Sequence, residues 1–201
     1  MTWIATVSPG DALGELRDTY RVIASARGGV ADVHAAQSLN PRALRAHLAL
    51  YRAVMFQRSS LSRAARERIG VLVSAVHGCA YCVRHHQAAL AALGDDPVVG
   101  EVLGRGEIPA GLGPDALDPG GESLLRWARQ GAAAPAGATQ AMIEDLRARG
   151  FDDRAILDAA LAVAYFSFVN RLVLMLGVNL EPDFETTCRR VAEEPLPGSE
   201  S

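Results

Sequence analysis

At 201 residues, with 49% hydrophobic side chains, the chain is long enough to bury a proper core and too apolar for a disordered segment. A net charge of −3 and a pI near 5.9 give no electrostatic reason to expect nucleic acid or an anionic membrane as partner, and the basic residues are all Arg, which reads as codon bias. The first residues, Met1-Thr-Trp-Ile-Ala-Thr-Val-Ser, lack the basic and apolar regions of a signal peptide, and three cysteines are too few for a disulfide framework, so a cytoplasmic protein is expected.

In chain order, almost every segment reads as helix. Residues 11–26 place Leu13, Leu16, Tyr20 and Ile23 at a spacing close to 3.6. Asn40 caps a helix whose first residue is Pro41, and Leu44, Leu48, Tyr51 and Met55 continue its apolar stripe. Ser60 or Ser62 caps a third helix running to about His77. Gly78 stops it, and Cys79 begins another that fades at Gly94. Residues 104–121 are rich in Gly and Pro and form an irregular connection between two helical halves. Helix resumes over 122–130, and 131–138 is a second break. Thr139 then caps 140–149, and Asp152 or Asp153 starts a long helix closed by Gly177.

The apolar run 155–177 is interrupted by Asp158, Asn170 and Arg171. That makes it a poor bilayer span and a good buried helix, within the protomer or at a subunit contact. The expected fold is all-α, a multi-helix bundle forming one domain with two helical lobes over 1–192, followed by a flexible tail over 193–201.

The chemistry concentrates in Cys79-Ala-Tyr-Cys82-Val-Arg-His85-His86, two thiols and two imidazoles within one short stretch. At roughly 100° per helical residue, Cys79, Cys82 and His86 share one face. An unperturbed thiol, with a pKa of about 8.5, is mostly protonated at neutral pH; a helix N-terminus lowers it. His86 supplies a base one turn after Cys82. Glu67, on the preceding helix, can hold that imidazole if the two helices pack side by side across Gly78.

With Cys79 at zero on the helical wheel, Cys82 falls at roughly −60°, His86 at −20° and His85 at −120°. His86 therefore lies between the sulfurs and is favoured as the base, while His85 is assigned to solvent or an oligomer contact. A zinc site built from Cys79, Cys82, His86 and Glu67 lacks the second spaced ligand pair usual for structural zinc. Haem attachment fails because Val83, not His, follows the second Cys, and a thioredoxin fold needs a strand before the pair. Two inert core thiols remain an alternative. No metal or cofactor is expected. His77 is assigned to free helix-terminal carbonyls, and Cys188 is read as a bystander.

At these residues the chain resembles the alkylhydroperoxidase D-like branch of the carboxymuconolactone decarboxylase family. The match is Glu67, then Ser74-Ala-Val-His-Gly-Cys79-Ala-Tyr-Cys82, then His86. The peroxidase-related subgroup is the most similar, through Asn40-Pro41-Arg-Ala-Leu44, Tyr165-Phe-Ser-Phe-Val-Asn170-Arg171-Leu and Leu176-Gly177-Val178, so that the similarity runs from about Trp3 to Leu180. The resemblance implies an all-helical homo-oligomer with peroxidase activity on organic hydroperoxides. Cys82 would be the peroxidatic thiol, Cys79 the resolving one, His86 the base of Cys82, and Glu67 the next member of a proton relay. Tyr81 stands where the well-studied members carry a second His, and with His85 it is a candidate substrate contact.

The expected activity is thus a cofactor-free thiol peroxidase, re-reduced by a dithiol or a thioredoxin-like or lipoyl-type partner. The alternatives are a non-enzymatic redox sensor using the same pair and a lactone decarboxylase, in whose chemistry the pair has no role.

Overall fold

Side-chain caps fix where the main helices begin. The computed structural model describes residues 2–109, 121–182 and 184, and among these it contains α1 (Gly14–Arg27), α2 (Asp32–Ala35), α3 (Pro41–Met55), α4 (Arg63–Val76), α5 (Ala80–Ala92), α6 (Pro97–Gly104), α7 (Gly121–Ala133), α8 (Gln140–Ala148) and α9 (Asp153–Leu176). No strand occurs among the described residues. Asn40 accepts the Ala43 amide at 3.1 Å to start α3, with Pro41 next in the chain. For α4 the cap is Ser62, which accepts the Ala65 amide at 3.1 Å, while Ser60 donates instead to Asp152 at 3.0 Å. Asp152 in turn accepts the Ala155 amide at 2.7 Å and starts α9. Gly177 ends that helix in the left-handed region at φ 60°.

Two helices escape the sequence pattern. At four and eight residues, α2 and α6 are too short to show a period, although Asp96 caps α6 through the Val98 amide at 2.9 Å with Pro97 beside it. A third difference is that α7 continues to Ala133, into the stretch expected to break. Alanine is the best helix former, and only at Pro135 does the chain tighten into a single 3-10 turn. The expectations for 110–120 and for the C-terminal tail lie outside the described residues.

The core is organised around α4, whose residues from Ala65 to Ser74 are all buried and which packs on α5, α6, α7 and α9. Ile69, Leu72 and Val73 meet Leu125 of α7 and Ala159 and Phe166 of α9 in one continuous cluster; a smaller cluster joins Leu16, Tyr20 and Ile23 of α1 to Leu44 of α3. A Cβ on Gly70 would lie 2.5 Å from the Phe166 ring, so the absence of a side chain there lets α9 approach α4 closely. Charges inside this core are paired: Arg66 meets Asp158 at 3.0 Å, and Arg68 ties α4 to Asp95 at 2.5 Å. By length and composition α9 could cross a membrane, and its inner face, from Ala155 to Val173, is buried against the rest of the protein.

Candidate active site

Gly78, at φ +72°, turns the chain between α4 and α5, and the two helices lie side by side. That packing brings Glu67, one turn into α4, against His86 of α5. His86 Nδ1 is 2.5 Å from Glu67 Oε2. A carboxylate only accepts, so Nδ1 carries the hydrogen and the neutral ring keeps Nε2 as its basic nitrogen. Phe166 presses edge-on against the imidazole, with ring centroids 4.5 Å apart.

Glu67 is completely buried and has a further, cationic partner in Arg63, which donates through Nε to Oε1 at 2.9 Å and pairs with the same oxygen through Nη2. Burial pushes the Glu67 pKa up, but attraction to His86 and Arg63, with hydrogen bonds from both, overrides it and holds the carboxyl below its ordinary value. Arg63 itself lies over the Phe56 ring at 3.9 Å, fixed by cation–π contact.

Both thiols are free and buried, Cys79 with no exposure and Cys82 with 3%. Cys79 is the N-cap residue of α5 and Cys82 lies in its first turn. The Cys82 thiol, acting on the Cys79 sulfur, lowers the Cys79 pKa against the effect of burial; Cys79 and burial together push Cys82 up. The two thiols therefore titrate as a pair, and negative charge on one sulfur opposes ionisation of the other. Asn170 of α9 favours the charged form of both. Its Nδ2 donates to Ser74 Oγ at 3.0 Å, and its Oδ1 lies 3.0 Å from His77 Nδ1. The other His77 nitrogen is 3.2 Å from the Ala132 carbonyl, a helix-terminal carbonyl as expected, but on α7 and not on its own helix.

The two sulfurs face different spaces. Cys82 opens on a cavity of about 30 Å³, walled also by His85, His86, His47, Tyr81 and Tyr165. Cys79 borders a separate groove of about 390 Å³ that includes Trp3, Arg84 and Leu180. On the wall of the first cavity, His47 Nε2 lies 2.8 Å from the Tyr165 hydroxyl.

His85 corrects the sequence reading. It is not turned to solvent: it is 9% exposed, lies on the Cys82 cavity, and its Nε2 is 3.0 Å from Glu181 Oε2. Glu181 was not foreseen. Its Oε1 accepts the Tyr81 hydroxyl at 2.6 Å and the Asp32 amide at 2.8 Å, while the Tyr81 oxygen receives the Val33 amide at 3.3 Å. Burial raises the Glu181 pKa, but hydrogen bonds from His85 and Tyr81 outweigh it and bring the value to about 2. A lone Glu beyond the last long helix, distant in sequence from both partners, carries no spacing signal that would have singled it out. Among the described residues, no group of three or more His, Cys, Asp or Glu side chains is arranged to hold a metal ion. Cys188 lies outside the described residues.

An all-helical bundle with a Cys-x-x-Cys pair at a helix N-terminus and a Glu–His pair beside it is the architecture of an alkylhydroperoxidase D-like protein. The model of the carboxymuconolactone decarboxylase family matches residues 41–118. An uncharacterized peroxidase-related protein from Silicibacter sp. is 30% identical, with a TM-score of 0.80 and coverage of 94% of this chain and 96% of its own. A protein from Ralstonia eutropha described as an alkylhydroperoxidase AhpD core is 26% identical, with the same TM-score of 0.80 and the same coverage of 94% and 96%. A debrominase crystallised with 2,3,4-tribromopyrrole shares the fold at 17% identity and a TM-score of 0.73, over 95% of this chain and 98% of that one. No curated protein matches. The chain belongs to the carboxymuconolactone decarboxylase family, in its alkylhydroperoxidase D-like branch.

Proposed function

We propose that the protein is a cytoplasmic thiol-dependent peroxidase that reduces organic hydroperoxides through Cys82 and Cys79. The observation that carries this reading is that Cys82 and His86 share one small cavity, with His86 held at 2.5 Å by the buried Glu67. A water needs roughly 10–15 Å³ of such space, so about 30 Å³ suits the two oxygens of an –OOH group. His86 Nε2 takes the Cys82 proton, and the resulting thiolate attacks the distal peroxide oxygen. The O–O bond breaks, the alcohol leaves, and Cys82 becomes a sulfenic acid. Cys79 then condenses with it to a disulfide and releases water. An external dithiol, thioredoxin-like or lipoyl-type, restores the pair by exchange through a mixed disulfide.

The peroxidase-related descriptions of the two relatives with a TM-score of 0.80 support the same class. At 17% identity the debrominase likeness is one of fold. Lactone decarboxylation gives the Cys pair no role. A redox sensor would use the same first turn and differ only in failing to cycle.

The test is steady-state consumption of cumene or tert-butyl hydroperoxide with dithiothreitol. Wild type is expected to turn over many times, Cys82→Ser not at all, and Cys79→Ser to accumulate a trappable sulfenic acid. A single stoichiometric event in wild type would establish the sensor instead, and full turnover by Cys82→Ser would end the assignment.

A further inference from the structure

Breaking the O–O bond of an alkyl hydroperoxide creates two proton problems. Cys82 must lose a proton, and the departing alkoxide, conjugate base of a very weak acid, must gain one. Under the peroxidase reading the first task falls to His86. On a helix, residues three and four positions on are both neighbours of the first, so His85 is as close in register to Cys82 as His86 is. Both imidazoles border the Cys82 cavity, and each is held by its own buried carboxylate from a different element, His86 by Glu67 of α4 and His85 by Glu181 beyond α9.

We propose that His85, held in place by Glu181, is the general acid that protonates the alkoxide oxygen as it leaves the peroxide. The proposal rests on the peroxidase reading and adds the second half of its proton chemistry. Cys82 gives its proton to His86, and its sulfur bonds the distal oxygen as the O–O bond breaks. Protonated His85 donates to the leaving oxygen, which departs as the alcohol. The Cys79 thiol then attacks the sulfenic sulfur, and its proton leaves with the expelled hydroxide as water, while His86 returns its stored proton to solvent. His85 recovers its proton from solvent, and the external dithiol supplies the electrons.

Glu181 is a positioning residue here. As an acceptor only, it keeps a hydrogen on His85 Nε2, so the transferable proton sits on the other ring nitrogen. Its Oε1 also holds the Tyr81 hydroxyl at 2.6 Å, directing that hydroxyl hydrogen at Glu181. The Phe184 ring packs edge-on against His85 at 4.8 Å, and Arg84 lies beyond it, 5.6 Å from that ring. The other titratable groups bordering the cavity are His34 of α2, His47 and Tyr51 of α3, Tyr165 of α9 and the Cys82–His86 pair of α5.

The test separates an acid from a strut by changing the leaving group. Reduced protein is mixed rapidly with tert-butyl hydroperoxide, whose alkoxide needs a proton, or with peracetic acid, whose acetate does not, and loss of the dithiol is followed. His85→Gln is expected to slow the first reaction by roughly 10²-fold or more and the second by no more than a few-fold. Glu181→Gln is expected to show the same bias at smaller size. Because both oxidants act on one preparation, the ratio of the two rates is unaffected by the folded fraction. Equal losses with both oxidants in either variant would overturn the proposal while leaving the peroxidase reading standing. A wild type inert to both would overturn the two together.

Discussion

The site depends on how single side chains are held. Glu67 serves Arg63 and His86 at once, so its charge is balanced before any substrate arrives. Glu67→Gln keeps the shape but removes the charge that stabilises a protonated His86, and it leaves Arg63 half-buried beside a neutral amide. Peroxide reduction by this variant is expected to fall roughly 10²–10⁴-fold with little change in KM, as befits a group acting on the proton transfer. A variant of normal rate would remove Glu67 from the mechanism. The Cys pair shows where residue-level reading of the sequence stops. Spacing placed both sulfurs on one face, but only their mutual contact shows that each thiol shifts the other, Cys79 downward and Cys82 upward.

At the scale of elements, the caps and glycine stops at Asn40, Ser62, Gly78, Asp152 and Gly177 were legible because each is a local backbone requirement met by one residue. The side-by-side packing of α4 and α5 was legible too, through the single-glycine joint. What was not legible is tertiary: α2 and α6 are too short for periodicity, and the Glu181–His85 pair joins segments 96 residues apart. The α9 helix shows a further feature. Leu157, Leu161, Phe168 and Met175 remain exposed on its outer side at spacings of three- and four-residue multiples, an apolar stripe of the kind that marks an interaction face. We expect this stripe to meet a second copy of the chain. A Leu161→Glu, Phe168→Glu double variant should then lower the sedimentation mass to that of a monomer, whereas an unchanged assembly would place the contact elsewhere.

For the molecule as a whole, buried carboxylates held below their ordinary pKa shape the response to acid, Glu67 and Glu181 of the site among them. Glu67 and Glu181 both titrate lower in the folded chain than a free carboxyl at about 4.3, Glu181 at about 2. A lowered folded pKa means that the unfolded chain binds the extra protons first. The stabilisation is therefore complete above the unfolded value and drains away as pH falls through about 4.3 towards about 2. The melting temperature should decline across that window, and Glu181→Gln should flatten the decline; an unchanged slope would show that its hydrogen bonds contribute nothing net. One last consequence follows from the sulfurs being almost wholly enclosed. Reactivity in a thiol usually invites collateral damage from every electrophile in the cell, yet a sheath of helices admits only what is slender. Reagents whose reactive atom is hindered are kept waiting for the shell to breathe, while the two-oxygen end of a hydroperoxide reaches Cys82, so discrimination here comes from shape before it comes from chemistry.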